Sequence, residues 1–546
     1  MKIKYQDKIL EINKDETIKE AFKEEIEKSR YQIMLAVYNN RYVSLDKKID
    51  VDGEIKLIDM TTKEGIRVYK RTLIFMLAKV LREMYPDNET AVNYQLTNAI
   101  YCDLGKIEVT DKLVKQINDK MRDLVKRSVP ITEIIMTREE AAEFFERENT
   151  LRGKVQYELE TNQEIHMNYC EDYFNYCYGI LATNTNAIKL FEVIKYKGGI
   201  LLRYPGKENP EEMPVVIQNK KIKWALHEYN DIHRILHINT VYRLNYAVEE
   251  EKIKDIIMLD EALHEKKIAN IADQIARDRK IKMILIAGPS SSGKTTFAQR
   301  LGIQLRINKI KPVTISVDNY FVERKDNPKD ENGKYNFECI EAIDLELFND
   351  HLTRLLNGEE VEMPQFDFIE GTKKYNGNKI KLHEDEVLVI EGIHCLNDRL
   401  TSKIPQEQKF KIYISALKVL NMDRYTKISA ADIRLIRRIV RDYQFRGYSA
   451  KRTIESWPSV GKGEVENIFP FQESADAIFN TSLIYELGVL KNVAKPVLEE
   501  IKQDEPEFAE AQRLLEMLKY IREIPPEYVP TNSLLKEFMG GGNFKY

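Results

Sequence analysis

Gly288-Pro289-Ser290-Ser291-Ser292-Gly293-Lys294-Thr295 fits the pattern G-x-x-x-x-G-K-[ST] at every position. Phosphate chemistry needs this spacing. The glycines let the backbone curl so that successive N–H groups face one point, and a helix starting at Thr296 adds the positive end of its dipole. Lys294 is placed to reach a transferring phosphate, and the Thr295 hydroxyl to ligate magnesium. A chance match would need no particular surroundings. Here the apolar run Met283–Ala287 predicts a strand leading in, and Phe297–Leu305 a helix leading out. Gly288, Ser290, Ser291, Ser292, Gly293, Lys294, Thr295 and Thr296 are therefore the expected nucleotide-binding residues, with ATP or GTP and Mg2+ as cofactors.

Working outward, Val313–Val317, Val387–Ile390, Phe410–Ile414 and Ala477–Phe479 are short apolar strands separated by helical stretches. That alternation predicts a parallel sheet with crossover helices. Phosphoryl transfer also needs a second magnesium-side carboxylate and a group to orient the acceptor. Glu391 ends one predicted strand, where ligands bind in such sheets; its bland alternative is an acid capping the next turn. Asp318 ends another and could take the proton of an attacking hydroxyl, or be a turn residue. Arg434, Arg437, Arg438 and Arg441 recur at spacings of three and four, and Arg446-Gly447 follows. That pattern suits a lid over phosphates, extended by Lys451, Arg452 and Lys462 near Gly461 and Gly463, or else a solvated basic face.

The whole chain has 546 residues, 43% apolar and 32% charged, with a formal charge of -4. Two to four domains are expected at this length. The charge gives no reason to expect a membrane or nucleic-acid partner, apart from a local patch within residues 1–213. Five cysteines with no C-x-x-C pair fit a reducing cytoplasm. Neither a signal peptide nor a membrane-spanning run is read. His227, His233 and His237 are read as surface or packing residues, and the aromatic run Tyr169–Tyr178 as buried packing. Assembly as a homo-oligomer is expected.

The loop, SVDNYF at 316–321, GKYNFE at 333–338, MPQFDF at 363–368, VIEGI at 389–393 and RLIRRIVRD at 434–442 together resemble the uridine kinase and phosphoribulokinase family across roughly residues 280–490. The resemblance implies ATP-dependent phosphorylation of a nucleoside 5′-hydroxyl, uridine foremost. Asp318 would be the base, beside Lys294 and Glu391. Tyr320, Phe337 and Glu338 would line the nucleoside pocket, Phe366 and Phe368 would pack around the base, and Arg438 would face the nucleoside. Arg441 and Arg446 would act in the lid. The sequence departs from the family at Gly371, where a base-contacting histidine is usual, at Tyr448 for a lid arginine, near Ser456 for a glutamine, and at Glu338 for a shorter acid. Such losses at a base pocket alter selectivity, so another sugar-containing acceptor stays open.

Residues 1–60 are similar to a TGS domain, a β-grasp module. Residues 61–213 resemble the second additional domain of threonyl-tRNA synthetases, with Arg71, Phe75 and Lys79 where an H-x-x-x-H editing pair would stand. The expected architecture is thus an α/β P-loop kinase domain (281–500), a parallel sheet flanked by helices. It is preceded by two α+β domains (1–60 and 61–213) and a helical connector (214–280), and followed by a C-terminal extension (501–546). A nucleotide-dependent RNA- or ribosome-associated sensor is the rival reading.

Overall fold

The structure, a computed structural model, describes residues 1–86, 90–96, 98–147, 159, 164–215, 221, 225, 235–329, 331, 333, 335–367, 370–417 and 420–545. Phe368, His227 and His233 lie outside the described residues.

In the C-terminal half, five strands form one parallel sheet in the order Lys311–Ser316, Glu386–Glu391, Met283–Ala287, Lys409–Ser415, Ala477–Asn480. The strand that feeds the phosphate loop is thus central, and all of its residues are fully buried. A parallel strand covered on both faces reads as a continuous apolar run rather than an alternating one, which is why MILIA, VLVI and FKIYI announce themselves. Helix Lys294–Ile307 leaves the loop and packs on the long helix Ile253–Arg277, tied there by Arg300 to Glu265 at 2.8 Å and to Glu261 at 3.3 Å. An antiparallel hairpin, Glu360–Asp367 with Thr372–Lys381, projects beside the sheet. Its second strand is lysine-rich and mostly exposed, so it carries no apolar period and escapes a sequence reading.

The N-terminal half begins with a mixed five-stranded sheet, in the order Lys8–Glu11, Lys2–Tyr5, Gly53–Asp59, Ile33–Tyr38, Arg41–Val43, whose parallel pair lies between Lys2–Tyr5 and Gly53–Asp59. The helix Lys63–Met84 follows, capped by the Thr62 hydroxyl on the Gly65 N–H, and its apolar face is buried. It packs with helix Asp111–Arg127 over a four-stranded antiparallel sheet, Glu192–Tyr196, Gly199–Arg203, Ala99–Asp103, Ala91–Leu96.

The halves share a core. Tyr94, Ala99, Tyr101 and Leu201 pack in one cluster with Met283, Leu285, Leu388 and Ile390 of the parallel sheet. The backbone of Val92 donates to the Arg424 carbonyl at 2.8 Å, while Asn421 donates back to the Val92 carbonyl at 2.6 Å. The aromatic run is packing, as read: Tyr178 meets Tyr520 edge-on at 5.1 Å, and the Tyr176 and Tyr520 hydroxyls are 2.6 Å apart. Residues past 500 are built in as well, with Leu514, Leu534, Leu535 and Phe538 fully buried against helices Ala430–Arg446 and Glu486–Glu499. Among the described residues no helix is long and apolar enough to cross a membrane.

Candidate active site

The phosphate loop sits where its two glycines are sterically required. A Cβ on Gly288 would come 2.2 Å from the Ile414 carbonyl, and Gly293 has φ of +89°. The Lys294 ammonium donates to the Gly288 carbonyl at 3.0 Å and to that of Pro289 at 3.4 Å.

Two buried arginines hold the loop from behind. Arg434 forms a two-pronged pair with Glu464, and that pair grips both backbone groups of Ser290. The Ser290 N–H donates to Glu464 at 3.1 Å, and Arg434 donates to the Ser290 carbonyl at 3.2 Å. Arg437 is fully buried, donating to Glu486 at 2.6 Å and to the Thr481 carbonyl at 2.8 Å, with the Ser291 carbonyl at 3.4 Å. Neither arginine faces a phosphate path. The sequence reading grouped both with the lid; spacing of three and four cannot say which face of the helix is buried.

Lid readings for the next stretch need correction too. Residues 450–467 form a helix, with Ile454, Trp457 and Val460 buried, instead of an open Gly-containing loop. Lys451 pairs with Glu505 at 2.9 Å, Lys462 with Glu331 at 3.2 Å, and Arg452 lies over the Tyr448 ring at 3.7 Å. Arg441 and Arg446 stand on the last turns of helix Ala430–Arg446, both beside the buried Asp442, at 3.8 Å and 3.2 Å. Burial, then the neighbouring Arg446, holds the Arg441 guanidinium down to about 10.

In front of the loop three carboxylates share the field of Lys294. Glu391 ends the strand beside the loop strand and accepts from the Ser316 hydroxyl at 3.2 Å; burial pushes its carboxyl up to about 7 against the pull of Lys294. Asp318 stands on the single 3-10 turn Val317–Tyr320 after the edge strand and opens into the cleft. Desolvation by the surrounding protein raises it above the ordinary carboxylate range, opposed by Lys294 and Arg446. Glu338 is raised to about 7 by burial and by Glu464, opposed by Arg438 and Lys294. Gly463 lets helix Ala450–Asn467 come this close, since a Cβ there would lie 2.5 Å from the Glu338 Cβ. Gly392 does the same for the strand ends, where a Cβ would lie 2.8 Å from that of Val317. Titratable groups with shifted proton affinity gathered in one cleft point to a candidate functional site.

The chemistry of these groups fits a phosphate-bound magnesium. Such an ion is held by one or two carboxylates together with phosphates and water, without a protein cage. Thr295 and Glu391 are the residues that could supply its protein oxygens; burial, and less so Asp318 and Glu537, raise the Glu391 carboxyl.

The expected acceptor residues divide. Tyr320 is 1% exposed, its hydroxyl on His351 Nδ1 at 3.0 Å and its ring edge-on to Phe348, so it belongs to the core and does not line a pocket. Its neighbour Phe321, which the sequence reading missed, joins Phe337 at 6.1 Å and Phe366 at 5.6 Å in an aromatic group. Arg438 donates to the Ser290 hydroxyl at 2.8 Å and to Asp442 at 3.2 Å, so it is committed to the loop, with Glu338 within its field. Gly371 has φ of +75°, and a Cβ there would lie 2.7 Å from the Arg324 Cβ and 2.8 Å from its Nε. The Arg324 side chain fills the space where a base-contacting histidine was looked for.

A profile of the Phosphoribulokinase / Uridine kinase family matches residues 283–484, the segment that carries this cleft. The uridine kinase of Mycoplasma genitalium is 33% identical over 183 residues, which is 34% of this chain and 76% of that protein. That of Halobacterium salinarum is 30% identical over 195 residues, 35% of this chain and 77% of the relative. That of Ligilactobacillus salivarius is 30% identical over 203 residues, 37% and 86% respectively. The solved structure of a possible uridine kinase from Bacillus stearothermophilus is 18% identical and covers 39% of this chain and 99% of that one, with a TM-score of 0.26. Through residues 283–484 the chain belongs to the phosphoribulokinase and uridine kinase family and is a kinase acting on a hydroxyl group.

Proposed function

We propose that the chain transfers the γ-phosphoryl group of ATP to the 5′-hydroxyl of a nucleoside, uridine first among them. The observation that carries this is the convergence of Asp318 and Glu391 on the field of Lys294 at the mouth of the phosphate loop, both carboxyls shifted up against its pull. Asp318 takes the hydroxyl proton as that oxygen bonds to the γ-phosphorus and the bond to the β-phosphate oxygen breaks, releasing ADP. Lys294 answers the charge that gathers on the transferring group, and Arg441 and Arg446 face it from the end of their helix. Magnesium bound with the nucleotide, held by Thr295 and Glu391, would neutralise phosphate oxygens. Phe337, exposed beside the buried Phe321 and Phe366, offers a ring to a base, and Glu338 an acceptor to the ribose hydroxyls.

A second reading, another sugar-containing acceptor, is favoured by one feature: Arg324 occupies the place of a base-reading imidazole at Gly371. An ADP-release assay with Mg-ATP decides between them, run with uridine, cytidine, other nucleosides and pentose phosphates beside a Lys294→Ala control. Uridine-dependent release that the control loses supports the first reading. Release with a pentose phosphate alone supports the second, and acceptor-independent hydrolysis would turn attention to a nucleotide-driven RNA-associated switch.

For the N-terminal half we propose a TGS-like module followed by a synthetase-like domain without hydrolytic chemistry. In support, the residues at the editing positions serve packing. Arg71 donates to the Ile180 carbonyl at 2.5 Å, Phe75 meets Tyr173 at 5.1 Å, and Lys79 pairs with Asp172 at 2.8 Å and Glu171 at 3.0 Å.

A further inference from the structure

The segment Thr531–Asn543 carries a carboxylate to a position built for a phosphate. Leu534 presses on the loop so closely that a Cβ on Gly293 would lie 2.6 Å from its side chain, and the Phe538 ring lies 5.1 Å from the Arg437 guanidinium. With Leu534, Leu535 and Phe538 fully buried, the short helix Lys536–Met539 aims Glu537 at the start of helix Lys294–Ile307. There Glu537 Oε2 accepts from the Thr296 N–H at 3.1 Å and from the Thr296 hydroxyl at 2.8 Å. The N–H groups at this end of the loop are the ones that cradle the α- and β-phosphates of a bound nucleotide. Carboxylate and phosphate are both anions drawn to a helix N-terminus. They cannot hold the same donors at once, and their like charges repel. The displaced carboxylate has somewhere to go: its charge already reaches Arg441, whose buried Nε has no hydrogen-bond partner among the described residues.

We propose that Glu537 is an affinity-setting residue of the nucleotide site, holding the Thr296 donors until a nucleotide phosphate displaces it, whereupon it turns to Arg441. This rests on the reading of the loop as a nucleotide site. Glu537 then makes the site respond to a phosphate chain before anything else, because only an anion competes for those donors. Neutralising it removes the repulsion and leaves only an uncharged, weaker competitor for those donors.

Calorimetric titration of ADP into the full chain and into Glu537→Gln tests this. Glu537→Gln keeps the side-chain length and a hydrogen-bond acceptor but loses the charge, and the ADP Kd is expected to tighten about tenfold. An unchanged or weakened Kd overturns the proposal while leaving the nucleotide site standing. If neither protein binds ADP, the reading of the loop fails and this inference with it. Should Glu537→Gln not fold, hydrogen exchange on the unaltered chain decides. Amides of residues 536–540 losing protection when ADP is added supports displacement, and equal or greater protection overturns it.

Discussion

Two groups of carboxylates lie along the reach of helix Ala430–Arg446, and they titrate in opposite directions. At its N-terminal end, Asp432 accepts from Arg67 at 2.8 Å and from Arg513 at 2.8 Å and 3.1 Å, and Glu510 pairs with the same Arg513 at 2.8 Å. Burial pushes both acids up, yet Arg513, Arg67 and Lys63 more than reverse it and hold both below the usual range. This cluster ties helix Lys63–Met84 of the N-terminal half to the kinase half. In the cleft beyond the same helix, Glu338 and Glu391 are half-buried and Asp318 opens to the cleft; all three lie in the field of Lys294 with no arginine paired to them among the described residues, and all three are shifted up. The difference teaches what each site is for. Charge matched within the fold gives rigidity, whereas charge left in excess is held ready for a cation or a proton that arrives with the ligand.

The largest effects should come from the cleft. Asp318→Asn is expected to lower kcat by about 10²–10⁴-fold with the thermal midpoint intact; near-normal turnover would remove Asp318 from the chemistry and erase the contrast. Next, Asp432→Ala leaves two buried arginines, Arg67 and Arg513, to share only Glu64 and Glu510 and should cost about 3 kcal/mol of stability by denaturant titration. An unchanged midpoint would show that the network is no stronger than a surface pair.

Stability against pH sharpens the comparison further. Glu391 and Glu338 bind protons more tightly folded than unfolded. Their contribution is therefore full below about pH 4.5 and is lost as pH rises through 7. Asp432 and Glu510 run the other way, contributing above the ordinary carboxylate range and failing as pH falls below it. The double variant Glu338→Gln/Glu391→Gln should lie closest to the parent near pH 5 and gain on it steadily as pH rises to 8. Calorimetric scans at the two pH values measure this, and a constant difference would contradict it. The smallest effect is assigned to Ser456→Ala. Its exposed hydroxyl donates to the Thr453 carbonyl of its own helix at 3.0 Å, so stability should move by less than about 0.5 kcal/mol. Acceptor preference in the ADP-release assay should not move at all.

The sequence told most where the physics is local. A buried parallel strand writes itself as an apolar run, and the loop's spacing is dictated by phosphate geometry, so the central sheet and the places of Lys294, Asp318 and Glu391 at its strand ends could be named beforehand. It told least where partners are distant. Nothing near Arg434 or Arg437 announces Glu464, Glu486 or Thr481, so buried braces looked like lid residues. Tyr320 and Phe321 are adjacent buried rings, and a 3-10 turn, with neither a strand's nor a helix's period, decides that the first packs on Phe348 and the second on Phe337 and Phe366. Glu537 stands 241 positions from Thr296, and no periodicity spans such a gap.

The seam between the halves is made of the same material as their interiors. Because Tyr94, Tyr101 and Leu201 complete a core with the kinase strands, parting the halves would leave an apolar face on each, of the kind that drives aggregation. A deletion confined to the N-terminal half would therefore act first as a folding lesion in the kinase and only second as the loss of whatever that half recognises.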